Sequence, residues 1–189
     1  MSTPTTQTDL ITILTDQHRE VDAMFLQLEN MDGASGEEAK RLTEQVVILL
    51  VQHSVAEEVH LYPATREYVP GGDEIADHEL AEHEEAEQTM KRLESLTAED
   101  ADFWPTVHEL IGEVRHHVQE EENNLFPKLR AACTAEQLQE LGQKVERTEK
   151  VAPTRPHPSA PSEGALLGVL APGVGLVDRL RDALSGRGR

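Results

Sequence analysis

Two stretches of the chain repeat a pattern of residue types that ligate metal ions. His53-Ser-Val-Ala-Glu57-Glu58-Val-His-Leu61-Tyr62-Pro63 aligns with His117-Val-Gln-Glu-Glu121-Glu122-Asn-Asn-Leu125-Phe126-Pro127, 64 positions further on. His, Glu, Glu, Leu, an aromatic and Pro recur in register. Upstream of each copy stands one more histidine, His18 and His83, separated by 65 positions. On an α-helix, residues i and i+4 share a face and sit about one turn, roughly 5.4 Å, apart along the axis. An imidazole and a carboxylate so placed reach one small region, and the carboxylate can serve one ion or bridge two. The repeated unit is therefore a His on one helix followed by His-x-x-x-Glu on the next. Two such pairs about a pseudo-twofold axis fit a symmetric dinuclear metal site built from His18, His53, Glu57, His83, His117 and Glu121.

A single His-x-x-x-Glu carries little information in so acidic a chain. It also occurs at His78/Glu82, His83/Glu87 and His116/Glu120. The shared Leu-aromatic-Pro tail makes the repeat specific, as does a common depth. His18 and His83 lie about equally far into their helices, and Glu57 and Glu121 about equally far from the ends of theirs, so all six fall at one level of a bundle. An unpaired carboxylate on an apolar stripe would be costly to bury, and a metal removes that objection. Glu58 and Glu122 lie about 100° further round their helices and read as solvated or as supporting groups. His60 shares the face of His53, as an extra ligand or a supporting donor, although its repeat partner is Asn124. His78 should face away from His83, and His116 should point outward. His108 and His157 have no partner in the pattern. Tyr62 and Phe126 read as core cover over the site.

These residues need long helices, and the hydrophobic periodicity supplies four. The first runs from about Asp9 to Met31, with Leu10, Ile13, Leu14, Val21, Phe25 and Leu28 recurring at helical spacings. Asp9 can cap its start and Asp32-Gly33 ends it. The second runs from Gly36 or Glu37 to Tyr68, before the stop at Pro70-Gly71-Gly72. The third spans about Asp73 to Leu96. The fourth starts near Thr97-Ala98-Glu99-Asp100, which resembles a capping box, and continues to about Ala132. A shorter helix follows from Thr134 to about Glu149. Short connections make neighbours antiparallel. The expected fold is all-α: an up-down-up-down four-helix bundle with an extra short C-terminal helix and a flexible tail. The expected segments are a disordered N-terminus at 1–8, the bundle at 9–132, the added helix at 133–151, a Pro-rich linker at 152–164 and an apolar, slightly basic tail at 165–189. That tail would dock on its own bundle or on a partner.

Composition narrows the function classes. The chain has 189 residues and a formal charge of -19, which disfavours nucleic acid, because phosphate binding needs clustered Lys and Arg. One cysteine, Cys133, allows neither an intrachain disulfide nor a thiolate zinc site. No stretch of about 18 apolar residues spans a membrane, and no secretory signal is visible, so a cytoplasmic location is expected. Imidazole and carboxylate without thiolate suit iron, manganese or zinc.

The sequence resembles the hemerythrin-like, HHE cation-binding family, in its bacterial branch with the order His, His-x-x-x-Glu, His, His-x-x-x-Glu. The residues that carry this are Asp16-Gln17-His18-Arg19-Glu20, His53 with Glu57-Glu58 and Leu-Tyr-Pro, Glu82-His83-Glu84, and His117 with Glu121-Glu122 and Leu-Phe-Pro. The resemblance covers roughly residues 9 to 131. It implies two non-haem iron ions bridged by carboxylates, and a small oxidant or diatomic gas (hydrogen peroxide, O2 or NO) as partner. Family members bind O2, sense oxygen or iron, respond to nitric oxide, or break down peroxide. The chain departs from the oxygen carriers, whose third helix holds His-x-x-x-His and whose last holds His-x-x-x-x-Asp. Here Glu87 follows His83, and Glu121 follows His117. Five histidines and two carboxylates become four and two, which leaves a coordination position open or filled by another group. That favours redox chemistry, catalase- or peroxidase-like, over reversible O2 carriage; O2, NO or iron sensing is the alternative.

Overall fold

The computed structural model describes residues 8–33 and 36–157, together with Asp178, Asp182 and Arg187. The expectations for residues 1–7, for the linker beyond residue 157 and for most of the 165–189 tail lie outside the described residues. The first rod of the bundle is α1 (Leu10–Asn30). Asp9 caps it, its carboxylate accepting the Thr12 amide at 2.9 Å. The second rod is α2 (Glu37–Ala56), a π-helical turn (Glu57–Leu61), then α3 (Tyr62–Tyr68). The third is α4 (Gly72–Ser95). The fourth repeats the second: α5 (Phe103–Glu120), a π turn (Glu121–Leu125) and α6 (Phe126–Ala132). Among the described residues there is no strand.

Cross-helix contacts fix the directions. Along α1, Arg19 and then Asp22 and Glu29 meet Glu122 and then Arg115, so the first and fourth rods are antiparallel. Glu82 and Thr89 of α4 meet His117 and Glu113 of α5 in the same reversed order. Lys40 reaches the Leu93 carbonyl while Glu58 reaches His83, which sets the second rod against α4. The result is an up-down-up-down bundle.

Its interior is two apolar slabs with a polar layer between them. One slab holds Val21, Phe25, Leu28, Val46, Leu50, Met90, Leu93, Phe103 and Leu110. The other holds Leu10, Leu14, Ala56, Leu61, Tyr62, Leu125, Phe126 and Leu129. The charged layer therefore lies between apolar packing on both sides along the bundle axis.

The fourth rod starts later than the sequence suggests. Thr97 and Asp100 do pair, but the Asp100 carboxylate takes both the amide and the hydroxyl of Thr97, at 2.7 and 2.9 Å. That closes a turn instead of capping a helix. The helix begins at Phe103, which is fully buried, with Pro105 inside its first turn, where a missing amide costs nothing.

The added helix, α7 (Ala135–Glu149), opens on a complete capping box between Thr134 and Gln137. It packs Leu138, Gly142, Val145 and Thr148 against α1, α2 and the first π turn. The contact is close: a Cβ on Gly142 would lie 2.8 Å from the Thr8 carbonyl oxygen. Beyond it, residues 152–157 contain no helix, and Ala152, Pro153, Thr154 and Pro156 are buried. Arg155 and Arg187 both reach Glu94 of α4, each at 3.1 Å.

Candidate metal centre

The four rods bring all six sequence-predicted residues into the polar layer, and all six are buried. The ligand atoms of His18, His53, Glu57 and Glu121 lie within 4.8 Å of one another, and so do those of Glu57, His83 and His117. Glu57 belongs to both groups. Its Oε1 is 3.0 Å from His53 Nε2, and its Oε2 is 3.4 Å from His83 Nε2. Glu121 Oε2 lies 3.4 Å from His18 Nε2 and 3.8 Å from His117 Nε2. Each carboxylate therefore spans the two halves of the duplication.

The outward edge of every imidazole is held. His18 Nδ1 donates to Glu122 at 2.9 Å, His83 Nδ1 to Glu58 at 3.1 Å, and His117 Nδ1 to Glu82 at 3.0 Å. His53 Nδ1 donates to the Gln17 side-chain oxygen at 2.8 Å, and Gln17 in turn donates to Glu149 of α7 at 2.7 Å. An ionised carboxylate only accepts, so Nδ1 carries a proton and Nε2 is the ring nitrogen left to face inward. Such outward partners fix ring orientation and raise the basicity of a metal-ligating imidazole.

What faces inward is then electrostatically incomplete. His18 and His53 bring their Nε2 atoms to 3.2 Å, and His83 and His117 do the same. Both oxygens of Glu57, and Oε2 of Glu121, are fully buried and accept no hydrogen bond. Ring nitrogens this close together, beside two buried carboxylates, require positive charge between them. Protons or metal ions can supply the charge. In the metal-free protein burial works against the His83 imidazolium, but Glu57 and Glu58 outweigh it and lift its pKa to about 9. His18 and His117 are likewise raised against burial, chiefly by Glu121. Glu57, despite burial, is held well below the usual carboxylate range by His53 and His83. Burial and the charge of Glu57 push Glu121 upward. The donor set and its charge fit two divalent ions.

The halves differ in one respect. The Tyr62 hydroxyl lies 2.9 Å from His83 Nε2 and donates to Glu121 Oε1 at 3.3 Å. Its repeat partner Phe126 instead stacks on His18, with ring centroids 5.8 Å apart. Burial and the neighbouring carboxylates push the Tyr62 phenol well above its ordinary pKa, so it remains a donor. On the other side of the histidine layer lies a cavity of about 300 Å³ walled by Val21, Phe25, Leu50, Met90 and Val114. Arg19 and Arg115 line its outer side.

Three other histidines fall elsewhere. His60 points away from the centre to Thr148 of α7, at 2.7 Å. His78 and His116 sit on the outer surface. The sequence alone assigned no role to Gln17, Glu79, Glu82 or Glu149. The signal for two of them was present: Gln17 and Glu82 occupy the same position, immediately before His18 and His83, and each holds the histidine of the following rod. Glu79 Oε2 reaches His117 Nδ1 at the same 3.0 Å as Glu82.

The chain is similar to known proteins in sequence and fold. A family model described as the hemerythrin HHE cation binding domain matches residues 9–129. An uncharacterized hemerythrin-like protein of Schizosaccharomyces pombe is 30% identical over 169 residues, covering 88% of this chain and 82% of that one. A DNA nickase of Nostoc is 26% identical over 125 residues, and the match spans only 34% of its length. The crystal structure of a hemerythrin HHE cation binding domain-containing protein from Mycobacterium kansasii superposes with a TM-score of 0.66 at 19% identity, covering 91% of this chain and 98% of that one. Among the described residues no helix is long and apolar enough to cross a membrane. The chain belongs to the hemerythrin HHE cation-binding domain family.

Proposed function

We propose that this is a non-haem di-iron protein that performs redox chemistry on a small oxidant, hydrogen peroxide foremost. One observation carries the reading. Four imidazoles turn their Nε2 atoms toward two fully buried carboxylates, and both oxygens of Glu57 and Oε2 of Glu121 accept no hydrogen bond. His18, His53, Glu57 and Glu121 would hold one ion, and His83 and His117, with the same two carboxylates, the other. Imidazole and carboxylate donors without thiolate suit iron, and helical bundles with bridging carboxylates are its usual dinuclear host. Two adjacent irons, when bound, would donate the electron pair that reduces peroxide to water and accept the pair released when peroxide is oxidised to O2.

The chain's own residues set the conditions. Glu58, Glu82, Glu122 and Gln17 hold the rings so that only Nε2 faces inward. The apolar slabs bound the centre on both sides along the bundle axis. The Tyr62 hydroxyl donates to Glu121 and so orients the carboxylate between the two halves. The adjoining cavity admits a small molecule beside the histidines.

The test is O2 evolution from hydrogen peroxide by iron-loaded protein, measured beside a His117→Ala variant loaded in the same way. The expected result is turnover in the first and background in the second. Equal rates would remove the enzymatic reading. Optical bands that appear reversibly with O2 or nitric oxide, without peroxide turnover, would replace it with binding or sensing.

A further inference from the structure

Outside the buried centre, two of the His-x-x-x-Glu pairs that the duplication leaves unused face each other. His78 and Glu82 lie one turn apart on α4, and His116 and Glu120 one turn apart on α5. Because these helices are antiparallel, the four side chains meet on the outer surface. His78 Nε2 is 2.8 Å from Glu120 Oε2 and 3.7 Å from Glu82 Oε1. His116 Nε2 is 3.3 Å from Glu82 Oε1 and 3.8 Å from Glu120 Oε1. His78, Glu82 and Glu120 thus bring donor atoms within 4.8 Å of one another, and His116 Nε2 stands against both carboxylates from its own helix.

We propose that His78, Glu82, His116 and Glu120 form a second, peripheral site for a single divalent transition-metal ion, joined to the buried centre through Glu82. Four nitrogen and oxygen donors without thiolate suit zinc and its first-row neighbours. Hard calcium and magnesium ions prefer all-oxygen shells. Both histidines are more than half exposed, at 55% and 63% of the side chain, so an ion enters and leaves without unfolding the bundle. The link to the centre is one carboxylate. Glu82 Oε1 faces the surface histidines while Oε2 accepts from His117 Nδ1 at 3.0 Å. An ion on Oε1 draws electron density from the group that sets the basicity of His117. Glu79 stands at the same distance from that Nδ1 and keeps the ring oriented if Glu82 turns outward.

The proposal does not depend on which metal fills the interior or on what the interior catalyses. The experiment loads the protein with iron, then dialyses it against zinc and counts both metals in wild type and in a His78→Ala/His116→Ala variant. Glu120→Gln serves as a second, independent variant, and circular dichroism checks that each stays helical. Wild type should take up one zinc per chain beyond the double variant at unchanged iron content, and calcium should not replace it. The visible absorption of the iron should shift with zinc in wild type only. Equal zinc uptake by wild type and the double variant would overturn the site, and so would displacement of the extra zinc by calcium. Differential zinc uptake without a spectral shift would overturn the link through Glu82.

Discussion

Glu57 is one of two carboxylates that span the halves of the proposed centre, so Glu57→Gln should weaken the binding of both ions at once. One carboxylate oxygen faces His53 and the other faces His83. A glutamine amide keeps the shape but loses the charge, and it presents an N–H2 toward one of the two positions. An ion present at about a thousand times its dissociation constant stabilises the fold by roughly 4 kcal/mol, hence about 8 kcal/mol for two. In a protein of this size each kcal/mol moves the melting temperature by roughly 2–4 °C. Wild type should therefore melt roughly 15–30 °C higher when iron-loaded than after chelation. In Glu57→Gln the same difference should fall below half of that value. Differential scanning calorimetry, run anaerobically on loaded and chelated samples, measures it. Each protein serves as its own metal-free reference, so any effect of the substitution on the empty bundle cancels. A metal-dependent rise in Glu57→Gln equal to that of wild type would refute the bridging role.

Two further perturbations test the packing and the protonation logic. Gly112 is exposed on α5, and a Cβ placed there would meet nothing within 4 Å. Mutation to Ala should gain about 0.5–1 kcal/mol, the usual effect of removing a mid-helix glycine. Gly142→Ala should lose about 1–3 kcal/mol, because its Cβ would meet backbone at 2.8 Å from Thr8 and 3.0 Å from Leu10. Urea denaturation decides the pair, and a gain at both sites would mean that α7 does not approach α1 so closely. The metal-free protein should also lose stability as pH rises. His83 is raised from 6.5 to about 9, so the stability it contributes is fully present below pH 6.5 and disappears as pH climbs through 9. Metal uptake near neutral pH should release protons, because ligating imidazoles must give up their Nε2 protons. A melting temperature of chelated protein that is flat from pH 6.5 to 9.5 would contradict this.

The layout of the bundle and the convergence of six side chains were legible because both rest on period. Apolar spacing placed the rods, and the 64-position repeat aligned the candidate ligands. The supporting groups were harder to read. Glu82 and Gln17 each act across to another helix, and a single-helix wheel does not report which neighbour a side chain meets. The two spare His-x-x-x-Glu pairs looked like chance matches for the same reason: each means little until α4 and α5 are set antiparallel. The late start of α5 was lost to a symmetry of the capping box. Thr97 and Asp100 satisfy its residue types, yet the Asp100 carboxylate is taken up by Thr97, and the buried Phe103 decides where the helix begins.

The Leu-aromatic-Pro tail was visible as a marker, but its purpose depends on a backbone feature that a regular helical period conceals. Five residues beyond Glu57, a regular α-helix would turn Tyr62 about 140° away from the ligand face. The structure opens a π turn there instead. The Tyr62 amide donates to the Glu57 carbonyl, five residues back, and Phe126 does the same to Glu121. That brings the Tyr62 hydroxyl to His83 and Glu121, and the Phe126 ring onto His18. Pro63 and Pro127 follow directly. A proline has no amide to continue the ladder and crowds the carbonyl four residues earlier, so the wider turn relieves the obstruction. π turns of this kind concentrate at functional sites. The repeat thus encodes more than a ligand and its neighbour: the proline forces the register change that lets Tyr62 reach His83 and Glu121, and lets Phe126 cover His18.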